Sequence, residues 1–299
     1  MQNQVARFAL IALSLAACDR EPVDWNEAAE QQTLVPPAPA TAVAPDAAAD
    51  SVLDVMLRKA VRGVATLPET APSLPGAVLN GGGGATGCPS TVRVAAGRGG
   101  ERAAAWWAAR PNGSAVLLSS RSGDGGVTWD TPARVDTLDV ATSGCDRPAP
   151  SIAVDSVNGY VHVAYAIAAP EGTGVFYAHR MGPTLPFELP QVIIYGDRVT
   201  RASVASDGNV VAVAYEDPNT SGRPYVSLAL SRTAGHLWDE RFAVSGDGES
   251  AERPGVVLRG REVAVGWMVP NAARTLPALA EAPRPGSGGV VVVRVGRVR

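Results

Sequence analysis

Three arginines stand at comparable places in the chain and have the chemistry to bind a carboxylate. Arg201 and Arg253 lie 52 residues apart, each just before a short apolar strand, and Arg147 lies about two residues earlier relative to a third such strand. A guanidinium group can donate two parallel hydrogen bonds to one carboxylate, so three arginines in one place would form an anion site. The alternative is that an Arg before a strand holds the junction between repeats.

Other polar residues offer weaker indications of chemistry. Glu216 and Asp217 follow Tyr215 directly, where they would either line a pocket or form part of a solvated loop. The histidines are far apart in sequence and have no spacing typical of metal ligands, so we expect no metal site and no cofactor. These histidines are His162, His179 and His236.

The elements that must position these residues are repeated short strands. Gly (32 residues) and Pro (24 residues) are abundant and only 18% of residues are charged, which favours many strands and turns over long helices. Tyr165 and Tyr215 end matching strands 50 residues apart, and Trp267 ends another 52 residues later, a period that suits one four-stranded unit. The repeated strands are residues 103–107, 161–165, 210–215 and 263–267, and shorter apolar strands precede them at residues 91–95, 151–154, 203–205 and 255–258.

A polar turn with the sequence SGDGGVTW occupies residues 122–129. Its glycines suit a tight turn and its Ser, Asp and Thr can bind the turn's own amides, while the Trp would be buried beneath it. The stretch resembles the Asp-box, S-x-D-x-G-x-T-W, of the sialidase-like (BNR repeat) family, and a degraded copy, SRTAGHLW, follows at residues 231–238. The structural positions of the box are Ser122, Asp124, Gly126, Thr128 and Trp129.

The resemblance implies a fold more than an activity. In that family the box is a hairpin on the rim of a β-propeller blade, remote from the active site. The chain is therefore expected to be all-β, a propeller of about four recognisable four-stranded blades over residues 88–299, whereas sialidases have six blades. Four blades can close a ring, but an open stack would leave exposed sheet edges.

The catalytic parts of the family are only partly matched. Its members bind the substrate carboxylate with three arginines, the role that the resemblance implies for Arg147, Arg201 and Arg253. Its Tyr–Glu nucleophile has weak counterparts in Tyr215 and Glu216, and the family's opening Phe-Arg-Ile-Pro motif is absent. We therefore expect a binding or scaffolding module for a glycan or protein, with an exo-sialidase-type glycoside hydrolase as the alternative.

The N-terminus indicates export and a lipid anchor. Residues 8–15 are an apolar run after Arg7, too short to span a bilayer as a mature helix, and the small residues before Cys18 resemble a bacterial lipobox. This predicts a signal peptide over residues 1–17, lipidation at Cys18, and a bacterial envelope lipoprotein facing the periplasm or the cell surface. An incidental Cys after an ordinary signal peptide is the alternative.

The segments that follow the signal are expected to link the anchor to the propeller. Residues 18–50 are rich in Pro and Ala and predict a disordered tether. Residues 51–62 have the apolar spacing of a short helix, and a Gly-rich linker completes the segment 51–87. The net charge of −3 gives no field that would attract nucleic acid, so the partners expected are the membrane and an envelope ligand.

Two further pairings follow from the repeats. Cys88 and Cys145 both lie just before the first strands of neighbouring repeats, and in an exported protein they are expected to form a disulfide, with two buried free thiols as the alternative. The last repeat lacks an outer strand, so we expect residues 77–79 to supply it by pairing with residues 289–295.

Overall fold

The computed structural model describes residues 21–34, 45–61, 74–80, 84–219, 224–239, 241–246, 250–270 and 289–299. The signal peptide expected at residues 1–17 and the lipidation site expected at Cys18 lie outside these residues. The described strands form four antiparallel sheets in chain order, here called sheets I to IV, each with four strand positions. The expected all-β fold of four four-stranded blades is confirmed.

Sheet I contains the polar turn of residues 122–129 at its outer edge. Its innermost position is shared by two short strands, β3 and β4, which pair with different halves of β5. The strands are β3 (Thr86–Gly87), β4 (Arg93–Ala96), β5 (Arg102–Ala109), β6 (Ala115–Ser122) and β7 (Ala133–Asp136). Short 3-10 helices lie at Pro89–Thr91 and Arg98–Gly100.

Sheets II and III are simple four-stranded meanders in which consecutive strands pair. Sheet II consists of β8 (Ser151–Val154), β9 (Val161–Ala169), β10 (Gly172–Arg180) and β11 (Gln191–Tyr195). Sheet III consists of β12 (Ala202–Asp207), β13 (Val210–Glu216), β14 (Val226–Ser231) and β15 (Arg241–Ala243).

Sheet IV is completed by the N-terminal part of the chain. Its own strands are β16 (Glu252–Arg259), β17 (Glu262–Pro270) and β18 (Gly289–Val298). The outer position beside β18 is shared by β1 (Val23–Trp25) and β2 (Glu30–Thr33), both antiparallel to it. The expectation of a disordered tether over residues 18–50 is therefore wrong for these two strands, which are part of the propeller.

Within the described residues, two α-helices lie between the N-terminal strands and sheet I. Helix α1 spans Pro45–Ala60, so it begins six residues before the start expected at residue 51. Helix α2 spans Gly76–Leu79, where an outer strand of the last blade was expected. That expectation is wrong because α2 packs on sheet I, where the Leu79 carbonyl accepts a hydrogen bond from the Trp106 indole at 2.7 Å. The described residues contain no helix long and apolar enough to cross a bilayer.

Neighbouring sheets pack face to face because their second strands are apolar on both sides. In β5, Ala103, Ala105 and Trp107 face sheet II, while Ala104, Trp106 and Ala108 face the opposite way. Two further buried clusters join sheet II to sheet III and sheet III to sheet IV. Such strands, buried on both faces, explain the near-continuous apolar runs in the sequence.

The two outward faces of this stack, on sheets I and IV, are covered by the helices. Leu53 and Leu57 of α1 pack on Val257 and Val291 of sheet IV. Leu74 and the residues of α2 pack on the face of sheet I that carries Trp106. Among the described residues, no buried cluster joins sheet I directly to sheet IV, so the helices stand where further blades would pack.

The expected disulfide between Cys88 and Cys145 is present, with Cα atoms 5.4 Å apart. Cys88 follows β3, and its amide donates to the Trp107 carbonyl at 2.8 Å, so this half of the bridge is fixed to sheet I. Cys145 lies in the segment that leads to sheet II. The disulfide therefore links the first two blades near their innermost strands.

Candidate functional site

A cavity of about 340 Å³ lies where the innermost strands of all four sheets begin. The four innermost strands can be aligned by their pairing with the second strand of each sheet. In every second strand a small residue precedes a large aromatic residue, and one residue of the innermost strand pairs with that small residue. The four equivalent residues are Arg93, Ser151, Ser203 and Gly255. A second cavity of about 350 Å³ shares Arg58, Val94, Ile152 and Val204 with the first, so the two lie along one central channel.

Repeated hydrogen bonds hold the innermost strands around this channel. The Ser151 hydroxyl accepts the amide of Val204 at 3.0 Å, and the Ser203 hydroxyl accepts the amide of Val256 at 3.2 Å. Each bond joins one blade to the next at the same register. The backbone around the cavity is therefore tied together across three sheets.

Two of the three arginines expected at the site line the cavity. Arg201 precedes Ser203 by two residues and Arg253 precedes Gly255 by two, so the repeat places both at the start of an innermost strand. Arg201 is exposed, while Arg253 is 9% exposed and has a positive φ of 57°. A non-glycine residue in this conformation costs about 1–2 kcal/mol, so the surrounding contacts must hold it.

Glu216 holds the backbone of Arg253. The amide of Arg253 donates to the Glu216 carboxylate at 2.8 Å, and the amide of Glu216 donates to the Arg201 carbonyl at 3.0 Å. Burial raises the pKa of Glu216, while the Arg253 hydrogen bond and the charge of Arg201 act in the opposite direction. Glu216 thus links the two arginines of the site, but it does not line the cavity.

Two arginines that the sequence analysis missed complete the rim. Arg93 stands in sheet I at the register of Ser151 and Ser203, and its guanidinium donates to the Val92 carbonyl at 2.9 Å. Arg58 reaches the cavity from α1 and forms an ion pair with Asp54 at 2.6 Å. Four arginines from four segments of the chain therefore line one cavity, an arrangement suited to an anionic ligand.

Arg147 is not part of this site. Its guanidinium pairs with Asp139 at 2.8 Å and lies 5.2 Å from the Trp107 ring, with the Arg and Asp side chains 4% and 1% exposed. The same Asp139 carboxylate oxygen accepts the amide of Ala115 at 3.0 Å. The carboxylate-binding role expected for Arg147 is not supported, because its guanidinium is held in this buried ion pair and the residue does not line the cavity.

The expected nucleophile is also absent from the cavity. Tyr215 is 1% exposed and packs in the cluster between sheets II and III. Burial raises the pKa of its hydroxyl, which disfavours the phenolate. Asp217 accepts a hydrogen bond from the Tyr225 hydroxyl at 2.8 Å and, like Tyr215, lies outside the cavity lining.

The polar turn of residues 122–129 is closed by its own side chains and lies away from the cavity. The Ser122 hydroxyl accepts the amide of Gly126 at 2.8 Å, and the Asp124 carboxylate accepts the Thr128 amide at 2.9 Å and its hydroxyl at 2.6 Å. The Trp129 indole donates to the Gly126 carbonyl at 3.1 Å. Trp129 is partly buried on the outward face of sheet I, where it packs against the buried cluster that contains Trp106.

The histidines, far apart in sequence, are close in space. His162 and His179 stack with ring centroids 6.0 Å apart, and His236 meets His179 edge to face at 4.7 Å. Atoms of His179, His236 and Glu188 that are able to bind a metal all lie within 4.8 Å of one another. The spacing of these residues in the sequence does not reveal this proximity, which comes from the packing of sheet II on sheet III.

No family model and no curated protein sequence matches this chain. Among solved structures, it is similar to a Hadza microbial sialidase at 14% identity and a TM-score of 0.44, over 59% of this chain and 41% of that one. A family 117 glycoside hydrolase of the marine bacterium Zobellia galactanivorans matches at 15% identity and a TM-score of 0.39, over 72% and 61%. Phage phi92 endosialidase matches at 7% identity and a TM-score of 0.46, over 69% and 35%.

The chain thus spans less than two thirds of the length of each of these three proteins. Its architecture rests on its own strand pairing and packing. Four antiparallel sheets follow one another in sequence, and their innermost strands surround one channel. This arrangement makes the described part of the chain an all-β propeller of four blades.

Proposed function

We propose that this chain is an envelope-anchored propeller protein that binds an acidic glycan in its arginine-lined cavity and does not cleave it. The observation that carries the proposal is the convergence of Arg93, Arg201 and Arg253, from three different sheets, on one cavity. A carboxylate there can accept paired hydrogen bonds from a guanidinium group, the geometry that makes such contacts both strong and specific.

The size and walls of the cavity suit one acidic sugar unit. Its volume of about 340 Å³ falls at the lower end of the range for small-molecule sites. Ile152, Val204 and Val256 line it, so an apolar ring face can pack on the innermost strands while the carboxylate meets the arginines. The net charge of the chain is −3, so the chain as a whole does not attract anions. The attraction would come from the arginines that line the cavity.

Binding is favoured over hydrolysis because the cavity offers no pair of reactive groups. Most glycoside hydrolases use two carboxyl groups on either side of the scissile bond. Among the described residues that line the cavity, Asp54 is the only carboxylate, and it is paired with Arg58. Tyr215 and Glu216, the residues that an exo-sialidase mechanism would need here, lie elsewhere.

Calorimetric titration with N-acetylneuraminic acid tests this proposal, with its methyl ester as the matched ligand that lacks the charge. We expect the acid to bind and the ester to bind at least roughly tenfold more weakly, because each charge-assisted hydrogen bond contributes about 1.5–3 kcal/mol. Arg201→Ala should weaken binding of the acid by a similar factor. Arg134→Ala, which removes an exposed arginine of β7 outside the cavity, should leave it unchanged.

The remaining outcomes distinguish the alternatives. Equal affinity for acid and ester, or no loss with Arg201→Ala, would contradict an anion site and favour an envelope protein as the ligand. Turnover of a fluorogenic sialoside between pH 4 and 8 that Arg253→Ala abolishes would establish the exo-sialidase alternative instead. Binding without turnover is the result that supports the proposal.

The envelope location rests on the segment Leu15-Ala16-Ala17-Cys18 and belongs to the same proposal. Cys18→Ser should yield a protein that lacks the lipid mass and no longer partitions with detergent-extracted membranes. Mass spectrometry and membrane fractionation measure both effects. Unchanged mass and unchanged membrane association would refute the anchor without affecting the glycan site.

A further inference from the structure

A cluster of imidazole and carboxylate groups lies where sheet II meets the outer turn of sheet III. His179 belongs to β10, Glu188 precedes β11, and His236 lies in the degraded box of residues 231–238. The Glu188 amide donates to the His179 carbonyl at 2.9 Å, which fixes these two residues side by side. The Glu188 carboxylate lies 3.6 Å from Nε2 of His179 and 3.8 Å from Nδ1 of His236.

The buried histidine of this cluster lacks hydrogen-bond partners. His179 is 0% exposed, yet neither of its ring nitrogens has a hydrogen-bond partner within the described structure. Buried polar atoms are nearly always paired, because an unpaired one loses its hydrogen bonds to water without replacement. The His179 ring therefore lacks the contact that would offset its burial.

The chemistry of these groups suits metal coordination. Imidazole nitrogens are the commonest side-chain ligands of metal ions. The nearby Glu188 carboxylate supplies a negative oxygen ligand.

The turn that carries His236 is held against sheet II. In the degraded box the Thr233 hydroxyl accepts the Leu237 amide at 2.8 Å, as Asp124 accepts the Thr128 amide in the intact box. The Gly235 carbonyl accepts a hydrogen bond from Gln191 at 3.1 Å. A Cβ atom at Gly235 would lie 1.9 Å from the Tyr177 hydroxyl, so only glycine lets this turn approach so closely. When the two boxes are aligned, His236 corresponds to Val127 of the intact box in sheet I, whose side chain is exposed.

We propose that His179, His236 and Glu188 bind one Zn²⁺ ion that links sheet II to sheet III. Their ligand atoms lie within 4.8 Å of one another, and tetrahedral coordination would bring them to roughly 3.3 Å. The side chains of His236 and Glu188 are 41% and 37% exposed, so both can move toward the fixed His179 ring. Three protein ligands leave a fourth position open to water, as in zinc sites with an open position.

Aromatic side chains pack around His179, the buried ligand of the proposed site. Tyr177 stacks on His179 with centroids 5.6 Å apart, and its hydroxyl lies 2.6 Å from Nδ1 of His162. These ring contacts and the complete burial of His179 hold its ring in place. The intact box of sheet I contains no histidine, which restricts this proposal to the junction of sheets II and III.

Zinc titration of the tag-free, chelator-stripped chain tests the proposal. Competition with a chromophoric chelator should give one equivalent of Zn²⁺ per chain, and Co²⁺ should give the visible absorption bands of a tetrahedral site. His236→Ala and Glu188→Gln should each weaken binding by more than the roughly 10–100-fold that outer contacts contribute. Leu237→Ala, an exposed change in the same turn, and Glu262→Gln, an exposed change in sheet IV, should bind as the parent chain does.

Thermal unfolding gives a second readout, because an ion that links two blades stabilises only the folded chain. Zn²⁺ should raise the midpoint of the parent chain and of Leu237→Ala, and should leave that of His236→Ala unchanged. Absence of stoichiometric binding at micromolar Zn²⁺ would overturn the proposal. Parent-like affinity in both His236→Ala and Glu188→Gln would overturn it equally.

Discussion

The docking of α1 on sheet IV can be tested with a single methyl group at Gly255. A Cβ atom at this position would lie 2.7 Å from Cδ1 of Leu57 and 3.1 Å from Cδ2 of Leu53, and both leucines belong to the helix. The φ of Gly255 is one that alanine adopts without strain. Gly255→Ala therefore perturbs the contact between helix and sheet and leaves the strand backbone intact.

The expected magnitude is a balance of two effects. Overpacking a close contact costs about 1–3 kcal/mol, while replacing glycine by alanine recovers about 0.4–1 kcal/mol from the unfolded chain. We expect Gly255→Ala to lower the free energy of unfolding by about 1–2 kcal/mol. Leu57 is 3% exposed, so Leu57→Ala should cost about 2–5 kcal/mol on its own.

The double variant is the decisive measurement. Removing the Leu57 side chain takes away the atom nearest to the new methyl group, so the pair should cost less than the sum, with a coupling of about 1–2 kcal/mol. Urea unfolding provides the free energies, and hydrogen exchange over residues 52–61 reports the helix itself. Gly123→Ala is the matched control, because a Cβ atom there would meet nothing within 4 Å.

Two results would refute this reasoning. If Gly255→Ala were as stable as the parent chain, or if the two substitutions were additive, the helix would not rest on sheet IV as described. Destabilisation by Gly123→Ala of the same size would show that the effect is not specific to the docking site.

Four further outcomes are expected. Trp129→Ala should cost about 1–3 kcal/mol in urea unfolding, less than a fully buried Trp would, because Trp129 is only partly buried. Hydrogen bonds from Thr128 lower the pKa of Asp124 from 3.8 to about 2. The stability that the ionised Asp124 confers should therefore be present above pH 3.8 and lost as the pH falls through about 2. An NMR titration in which this carboxyl group titrates near 3.8 would contradict the prediction. Cys145→Ser should cost about 4 kcal/mol in chemical unfolding, since the bridge spans a separation of 57 residues. Deleting residues 1–34 should cause association in light scattering, because it removes β1 and β2 and exposes the edge of β18.

The repeated second strands were predictable from sequence because each is buried on both faces. Runs such as residues 210–214 and 263–267 are apolar throughout, and their spacing follows from the size of one blade. The outer strand β2 was not predictable in this way. It reads EQQT and is exposed at every position, so it has no hydrophobic pattern, and only its pairing with β18 makes it a strand.

Of the residues that line the cavity, the sequence predicts only those that stand at equivalent positions of the repeats. Arg201 and Arg253 stand two positions before equivalent strand residues and both reach the cavity. Arg58 belongs to a helix that reaches the cavity through a tertiary contact. Arg93 stands where the other repeats have Ser or Gly, two positions after the place of Arg201 and Arg253. Neither residue therefore follows from repeat spacing. The histidines likewise meet only because two blades pack, which separation along the sequence cannot reveal.

The position of β1 sets a limit on how the propeller can lie at a membrane. Val23, the first residue of β1, is five positions after Cys18 (23 − 18 = 5). A chain of five residues reaches at most about 18 Å, whereas the 33 residues of an unstructured tether would reach more than about 100 Å. With a lipid on Cys18, the edge of sheet IV would therefore face the bilayer directly. Ligands would then reach the propeller only in the layer immediately above the lipid head groups, so the anchor would select partners that are themselves held close to the membrane.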